Sequence, residues 1–374
     1  MKLPIGKISG AIALLACVAA AQPQATTPLM CYSFEADTGM WMGFGSNAKV
    51  SLTHDAAHVR EGKGALQFDY TINKGEINAL LLPTPNSALA KAKSLRFWVQ
   101  ADHAAPLAVA LQEQEGGRYI ALFSVPKETW QQVDLSTSDF VLSENPGDPK
   151  DPDGKLDLDQ VQAVAIVDVG QLFAQAEDPN MAKLFPVKKG PHTLYVDDFT
   201  VSEETLPASV SATDSEVKLD SFVHPQPMWI GTGDARLSRS VGKPLDGNGM
   251  QADYHQAPSI PTAFVRLVPR GKLADMEKLS FDAASARPAK LIVQVEEQDG
   301  GKYNTEVDVD GGSAVKHVSV SLANLKADQN TKDSNDRLDK DLIKQIVILD
   351  ASGLIDHSDQ DNTLWLGNLR ATKN

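Results

Sequence analysis

Residues 107–119 read LAVALQEQEGGRY, and residues 291–303 read LIVQVEEQDGGKY. Each is an alternating apolar run, an acidic cluster, a Gly-Gly pair, a basic residue and a tyrosine. The offset is 184 residues at both ends. Apolar alternation has the period of a half-buried strand, and two such runs joined through Gly-Gly spell a β-hairpin. A hairpin written twice predicts a duplicated β-domain.

Working outward, the rest of the chain repeats in the same order. SFE at 33–35 is echoed by SFV at 221–223, ALQFDY at 65–70 by GMQADY at 249–254, and SLRFWV at 94–99 by KLSFDA at 278–283. WQQVDLSTSDF is echoed by VKHVSVSLANL, KLDLDQVQAVAIVD by RLDKDLIKQIVILD, and TLYVDDFTV by TLWLGNLRA. No long segment carries a 3.6-residue period. Many short strands punctuated by Gly and Pro predict an all-β sandwich or barrel. The first domain spans 29–202 and the second 217–374, with the polar stretch 203–216 as a linker. Two copies make two self-contained units, not a solenoid. They differ by one insertion: Leu156 to Leu194 spans 38 positions, whereas Leu338 to Leu364 spans 26. The extra residues carry Leu172, Phe173, Met181, Leu184 and Phe185, so the insertion is expected to pack over part of the first domain.

The chain has 374 residues, 42% hydrophobic and 22% charged, enough for two packed cores. Lys and Arg number 35 against 49 Asp and Glu, a net charge of −14. That balance argues against nucleic acid or an anionic membrane as a partner. At the N-terminus, Lys2 and Lys7 precede an apolar run from Ile8 to Val18, too short to span a bilayer and built like an export signal. Two exits stand open. Ala19-Ala20-Ala21 suits cleavage after residue 21, which makes 1–21 a signal peptide. Alternatively Leu14-Leu15-Ala16-Cys17 resembles a lipobox, with lipidation of Cys17. Both place the mature chain outside the cytoplasm, in the periplasm or beyond, and the second anchors it by lipid to the outer membrane. No other transmembrane segment follows. Cys17 and Cys31 are the only cysteines, so no disulfide framework exists. Cys31 is expected as a small buried thiol.

The first copy opens with SFE near Trp41 and runs through GKGALQFDY, SLRFWV and the Gly-Gly hairpin before WQQVDL. It then continues through DPDGKLDLDQVQAVAI and closes on LYVDDFTV. That order resembles the galactose-binding-like jelly roll of family 11 carbohydrate-binding modules and of complex I intermediate-associated protein 30. It covers most of 29–202, and 217–374 follows it more weakly. The resemblance implies tandem jelly-roll β-sandwiches, no catalysis, and either a glycan or an envelope protein as partner. In related modules an N-terminal Glu and a C-terminal Asp hold a structural calcium. Carried over, this marks Glu35 with Asp197 or Asp198. The competing reading is a solvated carboxylate pair. The second copy has Val223 and Gly367-Asn368 at these places, so no such calcium is expected there.

Alternation assigns Leu95, Phe97, Val99, Leu107, Val109, Leu111 and Tyr119 to the core, with Tyr303 as the counterpart of Tyr119. The opposite faces diverge. The first copy offers Arg96, Trp98, Ala108, Ala110, Gln112, Ile120 and Leu122; the second offers Asp282, Gln294, Glu296, Glu306 and Asp308. An aromatic ring beside polar groups can stack on a sugar, which makes Trp98, Arg96 and Gln112 a candidate glycan groove. Against it, Ile120 and Leu122 ask for a cover, supplied by the insertion or by the other domain. The stretch 144–157, ENPGDPKDPDGKLD, lacks calcium-loop spacing and has no Glu at the place of a bidentate ligand, so it reads as an acidic surface loop. His54 and His58 do not form a helical metal pair. Enzyme signatures such as G-x-S-x-G, H-E-x-x-H and the phosphate-binding loop are missing.

Overall fold

The computed structural model describes residues 27–144, 147–175, 186–333 and 335–373. The export signal, Cys17, Met181, Leu184 and Phe185 lie outside the described residues. Twelve strands build the first sandwich: β1 (Met30–Tyr32), β2 (Met42–Phe44), β3 (Lys49–Thr53), β4 (Ala65–Ile72), β5 (Ala79–Pro83), β6 (Ser94–Ala101), β7 (Ala105–Glu113), β8 (Arg118–Val125), β9 (Gln131–Ser136), β10 (Val141–Leu142), β11 (Val161–Asp168) and β12 (Gly190–Ser202). Thirteen follow: β13 (Ser211–Ala212), β14 (Glu216–Lys218), β15 (Ile230–Gly231), β16 (Arg236–Val241), β17 (Asn248–Gln256), β18 (Thr262–Leu267), β19 (Lys278–Ser285), β20 (Ala289–Glu297), β21 (Lys302–Val309), β22 (Lys316–Ser321), β23 (Lys326–Ala327), β24 (Ile343–Asp350) and β25 (Gln360–Thr372).

In the first sandwich one sheet runs β3-β4-β12-β6-β9, with β1 also on β12; the other runs β10-β8-β7-β11-β5-β2. The second sandwich repeats both orders, as β16-β17-β25-β19-β22 with β14 on β25, and β23-β21-β20-β24-β18-β15. The whole is a tandem of antiparallel jelly rolls. Alternation supplies the cores, as expected: Leu95, Phe97 and Val99 of β6 face Leu107, Val109 and Leu111 of β7 in one continuous cluster. Leu279, Phe281, Leu291 and Val293 do the same in the second.

The backbone keeps the duplication even where side chains have drifted. Phe34 and Phe222 share positive φ, 55° and 49°, and so do Asp198 and Asn368, 47° and 53°. The latter pair sits at a bulge on β12 and on β25, where the register with β6 and β19 shifts. A bulge places one residue outside the ladder and re-aims its neighbours. It therefore belongs to the topology, since Asn368 keeps it without the Asp-Asp pair.

The outer face of the first β7–β8 sheet is not open. Ala108, Leu122 and Ile120 pack against Ile230, Ala263, Val265 and Val347 of the second sandwich, and Phe173 of the insertion joins them. The second sandwich presents its apolar half-sheet, β18 and β24, while the acidic residues of β20 and β21 lie beside it. Met228 reaches further and belongs to the first core. Glu144 ties the rim, accepting from Arg270 at 2.6 Å and from Gln298 at 3.0 Å. The stretch 203–216 is part of this seam and does not run free. Leu206 and Ser209 are buried. The Ser209 backbone N–H and hydroxyl donate to Asp139 Oδ1 at 2.9 and 2.6 Å. Ser209 thus satisfies a buried carboxylate, while most of the stretch faces solvent.

Cys31 corrects an expectation. Met30 and Tyr32 lean on the core, so the residue between them on β1 points outward and its thiol is exposed.

Candidate functional site

The three residues read as a glycan groove do not meet. Trp98 and Arg96 lie on β6, in the sheet opposite the one holding Gln112 on β7. Alternation separates inward from outward but does not say which sheet an outward residue leaves. Arg96 is engaged by Glu204 at 2.5 Å and Asp134 at 3.5 Å. Gln112 donates to the Gly117 carbonyl at 2.8 Å and accepts from Arg118 at 3.1 Å. The Trp98 ring is half-buried and capped by the Arg60 guanidinium, 4.2 Å from its centroid. Beside it Tyr195 is stacked by His58 at 4.0 Å. The β3–β4 connection thus covers both rings, and it explains the His58 that sequence reading left unassigned.

Glu35 and Asp197 do arrive at that same connection. Asp197 is fully buried, and its Oδ2 accepts from the Arg60 and Glu61 N–H groups at 2.9 Å each. Glu35 accepts from the Lys63 N–H at 3.0 and 3.1 Å, and a β-carbon at Gly62 would stand 1.7 Å from its Oε1. Asp198 turns to solvent at the bulge. A calcium site needs converging oxygens. Here the donors met by Glu35 and Asp197 are N–H groups, so these two carboxylates clamp a loop by hydrogen bonds. Burial raises the Asp197 pKa, against the opposing pull of those N–H groups.

A recess of about 500 Å³ lies at the margin of the sandwich interface. The first sandwich contributes His103, Lys127, Asp168 and Phe173; the β15–β16 turn of the second contributes Asp234 and Arg236. His103 sits in the β6–β7 turn between two carboxylates, with Nδ1 2.7 Å from Asp102 Oδ1 and Nε2 2.9 Å from Asp168 Oδ2. Tyr70 donates to the same Asp168 oxygen at 2.7 Å, and His192 Nδ1 lies 3.1 Å from Asp102. Burial alone lowers the His103 pKa, but hydrogen bonds to Asp102 and Asp168 and their charges outweigh it and raise it to about 9. Burial likewise works against Asp102, and the two histidines hold its pKa far below the usual carboxylate range. The second copy keeps Tyr254 donating to Asp350 at 2.5 Å but has Ala286 and Arg287 in place of Asp102 and His103. This part of the site has no counterpart in the second copy.

Two groups of side chains have metal-type spacing among the described residues: Asp102, His103 and His192, and Glu297, Asp299 and Asp333. In the first, both His103 nitrogens already face carboxylates, which favours a proton on each over a metal on either. A doubly hydrogen-bonded imidazolium is a fixed positive donor, unsuited to accept a proton as a general base. The sequence signal for this site was slight. It was the Asp-His pair at 102–103 facing Ala-Arg in the second copy, and it was lost among scattered histidines.

No protein-family model matches the sequence, and no curated protein does. Solved structures share the jelly-roll architecture at low similarity. The chain is 17% identical to a family 11 carbohydrate-binding module from Clostridium thermocellum in complex with a β-1,3-1,4-mixed-linked tetrasaccharide, over 38% of this chain and 86% of that one, with a TM-score of 0.31. A tandem of family 22 modules from Paenibacillus barcinonensis Xyn10C is 11% identical, over 93% and 98% of the two chains, with a TM-score of 0.28. An exo-β-agarase is 15% identical over 39% of this chain and 24% of its own length, with a TM-score of 0.31. Among the described residues no helix is long and apolar enough to cross a membrane.

Proposed function

We propose that the chain is a non-catalytic, exported binding protein whose ligand is a carbohydrate, held by the first sandwich where it meets the second. The observation that carries this reading is the recess of about 500 Å³ that both sandwiches line. Its size suits a short saccharide, and pockets of this kind favour domain boundaries. Carboxylates, the His103 imidazolium and Arg236 match hydroxyl groups, while Phe173 and the neighbouring prolines offer an apolar wall for C–H faces. The locked His103 supports binding without catalysis. The apolar start of the chain supports export.

The test is retention in affinity gels containing mixed-linked β-glucan, xylan or agarose, with short oligosaccharides then titrated calorimetrically. Arg236→Ala with Lys127→Ala, both exposed, should abolish retention without moving the melting temperature. Equal retention by this double variant, or none by the wild type on any glycan, overturns the reading. One observation favours a second reading, that of an envelope interaction scaffold: Met40, Met42 and Phe44 are exposed at the sheet-edge strand β2. A partner that releases on Phe44→Ser, with no sugar binding, would establish it.

A further inference from the structure

The duplicated hairpin carries a second constellation, independent of the saccharide reading. In each copy a glutamate ends the first strand of the hairpin, four residues before the second glycine: Glu113 before Gly117 and Glu297 before Gly301. Each is nearly solvent-free, Glu297 being 1% exposed. A β-carbon at Gly301 would stand 1.7 Å from Glu297 Oε2, and one at Gly117 would stand 2.2 Å from Glu113 Oε2. The second glycine of the motif is therefore there to let a carboxylate fold back over it.

An acidic loop meets each glutamate. It reads DPDGKLD at 151–157 and DSNDRLD at 333–339, the same spacing of acidic and amide side chains at alternate positions. Asp339 N–H donates to Glu297 Oε1, as Asp157 N–H donates to Glu113 Oε1 at 2.6 Å. Tyr303 donates to Asp333, as Tyr119 donates to Asp151. In the second copy one oxygen from each of Glu297, Asp299 and Asp333 lies within 4.8 Å of the others. Glu297 Oε2 is buried among them without a hydrogen-bond partner. A buried carboxylate oxygen facing two further carboxylates is costly unless a cation joins them. In the first copy Glu113 and Asp151 instead hydrogen-bond to each other, so the same two positions are satisfied without a third carboxylate.

We propose that Glu297, Asp299 and Asp333 bind a divalent cation. The donors are all hard oxygens, which selects calcium over the transition metals. The missing bidentate residue of the acidic loop comes from the hairpin, more than 30 residues away in sequence, which is why loop spacing alone gave no cation site. The cation would fasten loop to hairpin in the second sandwich.

The test uses the full mature chain, dialysed against a chelator and titrated with calcium chloride by calorimetry and in thermal melts. One calcium ion should bind, with a rise in melting temperature of roughly 5 °C or more. Glu297→Gln and Asp333→Asn should each remove it, and Glu113→Gln should leave it bound. In chelator Glu297→Gln should melt no lower than wild type, because the amide relieves like-charge crowding; in calcium it should melt lower. Glu35→Gln should keep the ion, which separates this site from the Glu35–Asp197 clamp. If Glu297→Gln does not fold, the exposed Asp299→Asn reads the same site as weakened affinity. No binding well above about 1 mM calcium overturns the proposal. So does full stoichiometry in Asp333→Asn and Asp299→Asn.

Discussion

At the scale of single residues, two groups carry sharp consequences. Gly301 has no unusual backbone angle, so its requirement is steric: the β-carbon it lacks would collide with Glu297, a buried side chain held through its other oxygen by the Asp339 N–H. Gly301→Ala should cost about 1–3 kcal/mol, the range for overpacking a filled site. Gly154 is the control. Its φ is 72° and its surroundings are open, so Gly154→Ala should cost only about 1 kcal/mol of backbone strain. Urea denaturation of the two variants checks the contrast. His103 is the second group. Its folded pKa of about 9 lies above the ordinary histidine value of 6.5, so its ion pairs stabilise fully below pH 6.5 and fade as pH rises through 9. The groups facing it are Asp102, Asp168, His192 and the Tyr70 hydroxyl bound to Asp168. Wild type should exceed His103→Asn by on the order of 3 kcal/mol near pH 6, with the gap narrowing above pH 9. A gap independent of pH would show that the imidazole acts by packing alone.

At the scale of elements, the outer face of β7 and β8 decides how the sandwiches associate. Val265 of β18 lies in the cluster between the sandwiches and in neither core. Val265→Asp therefore tests the interface without damaging either fold. A carboxylate placed there has no counter-charge among the apolar residues of the cluster, and burying it costs roughly 3 kcal/mol. Differential scanning calorimetry should show one transition in wild type and two in the variant, with faster proteolysis within 203–216. The sequence made much of this legible. Period-two alternation identified Phe97, Val109 and Phe281 as core, and the internal repeat paired β4, β6 to β9, β11 and β12 with their counterparts. It also registered that Ile120 and Leu122 needed a cover. It could not tell that Trp98 leaves from the other sheet, because strand-to-sheet assignment depends on long-range pairing. Nor could it foresee that β18 and β24 supply the apolar cover while β20 and β21 stay acidic, since the two halves of that face come from distant strands. The Glu297–Asp333 contact was hidden for the same reason: its halves are legible, their meeting is not.

At the scale of the molecule, the first sandwich draws part of its core from beyond its own repeat. Met228 follows the connecting stretch yet is buried in the first core, and Gln226 two residues earlier closes a pair of hydrogen bonds with the Asp134 backbone at 3.1 and 2.8 Å. His224, two residues earlier again, lies 2.9 Å from buried Asp139. The alternation of 224, 226 and 228 is that of an extended segment laid along the first sandwich, so the first fold is completed by residues beyond its own repeat. A fragment ending at residue 202 should consequently be less stable than one ending at residue 232. Losing Met228 alone removes a side chain whose deletion from a core costs about 2–5 kcal/mol, before the exposed Asp139 network is counted. Thermal melts of the two fragments, read against the full chain, measure the difference. Equal melting temperatures would mean that the seam is a surface contact and that each repeat folds alone. A higher value for the longer fragment would instead explain why the recess is a shared feature: its second wall, Gly231 to Arg236, begins where this completing segment ends.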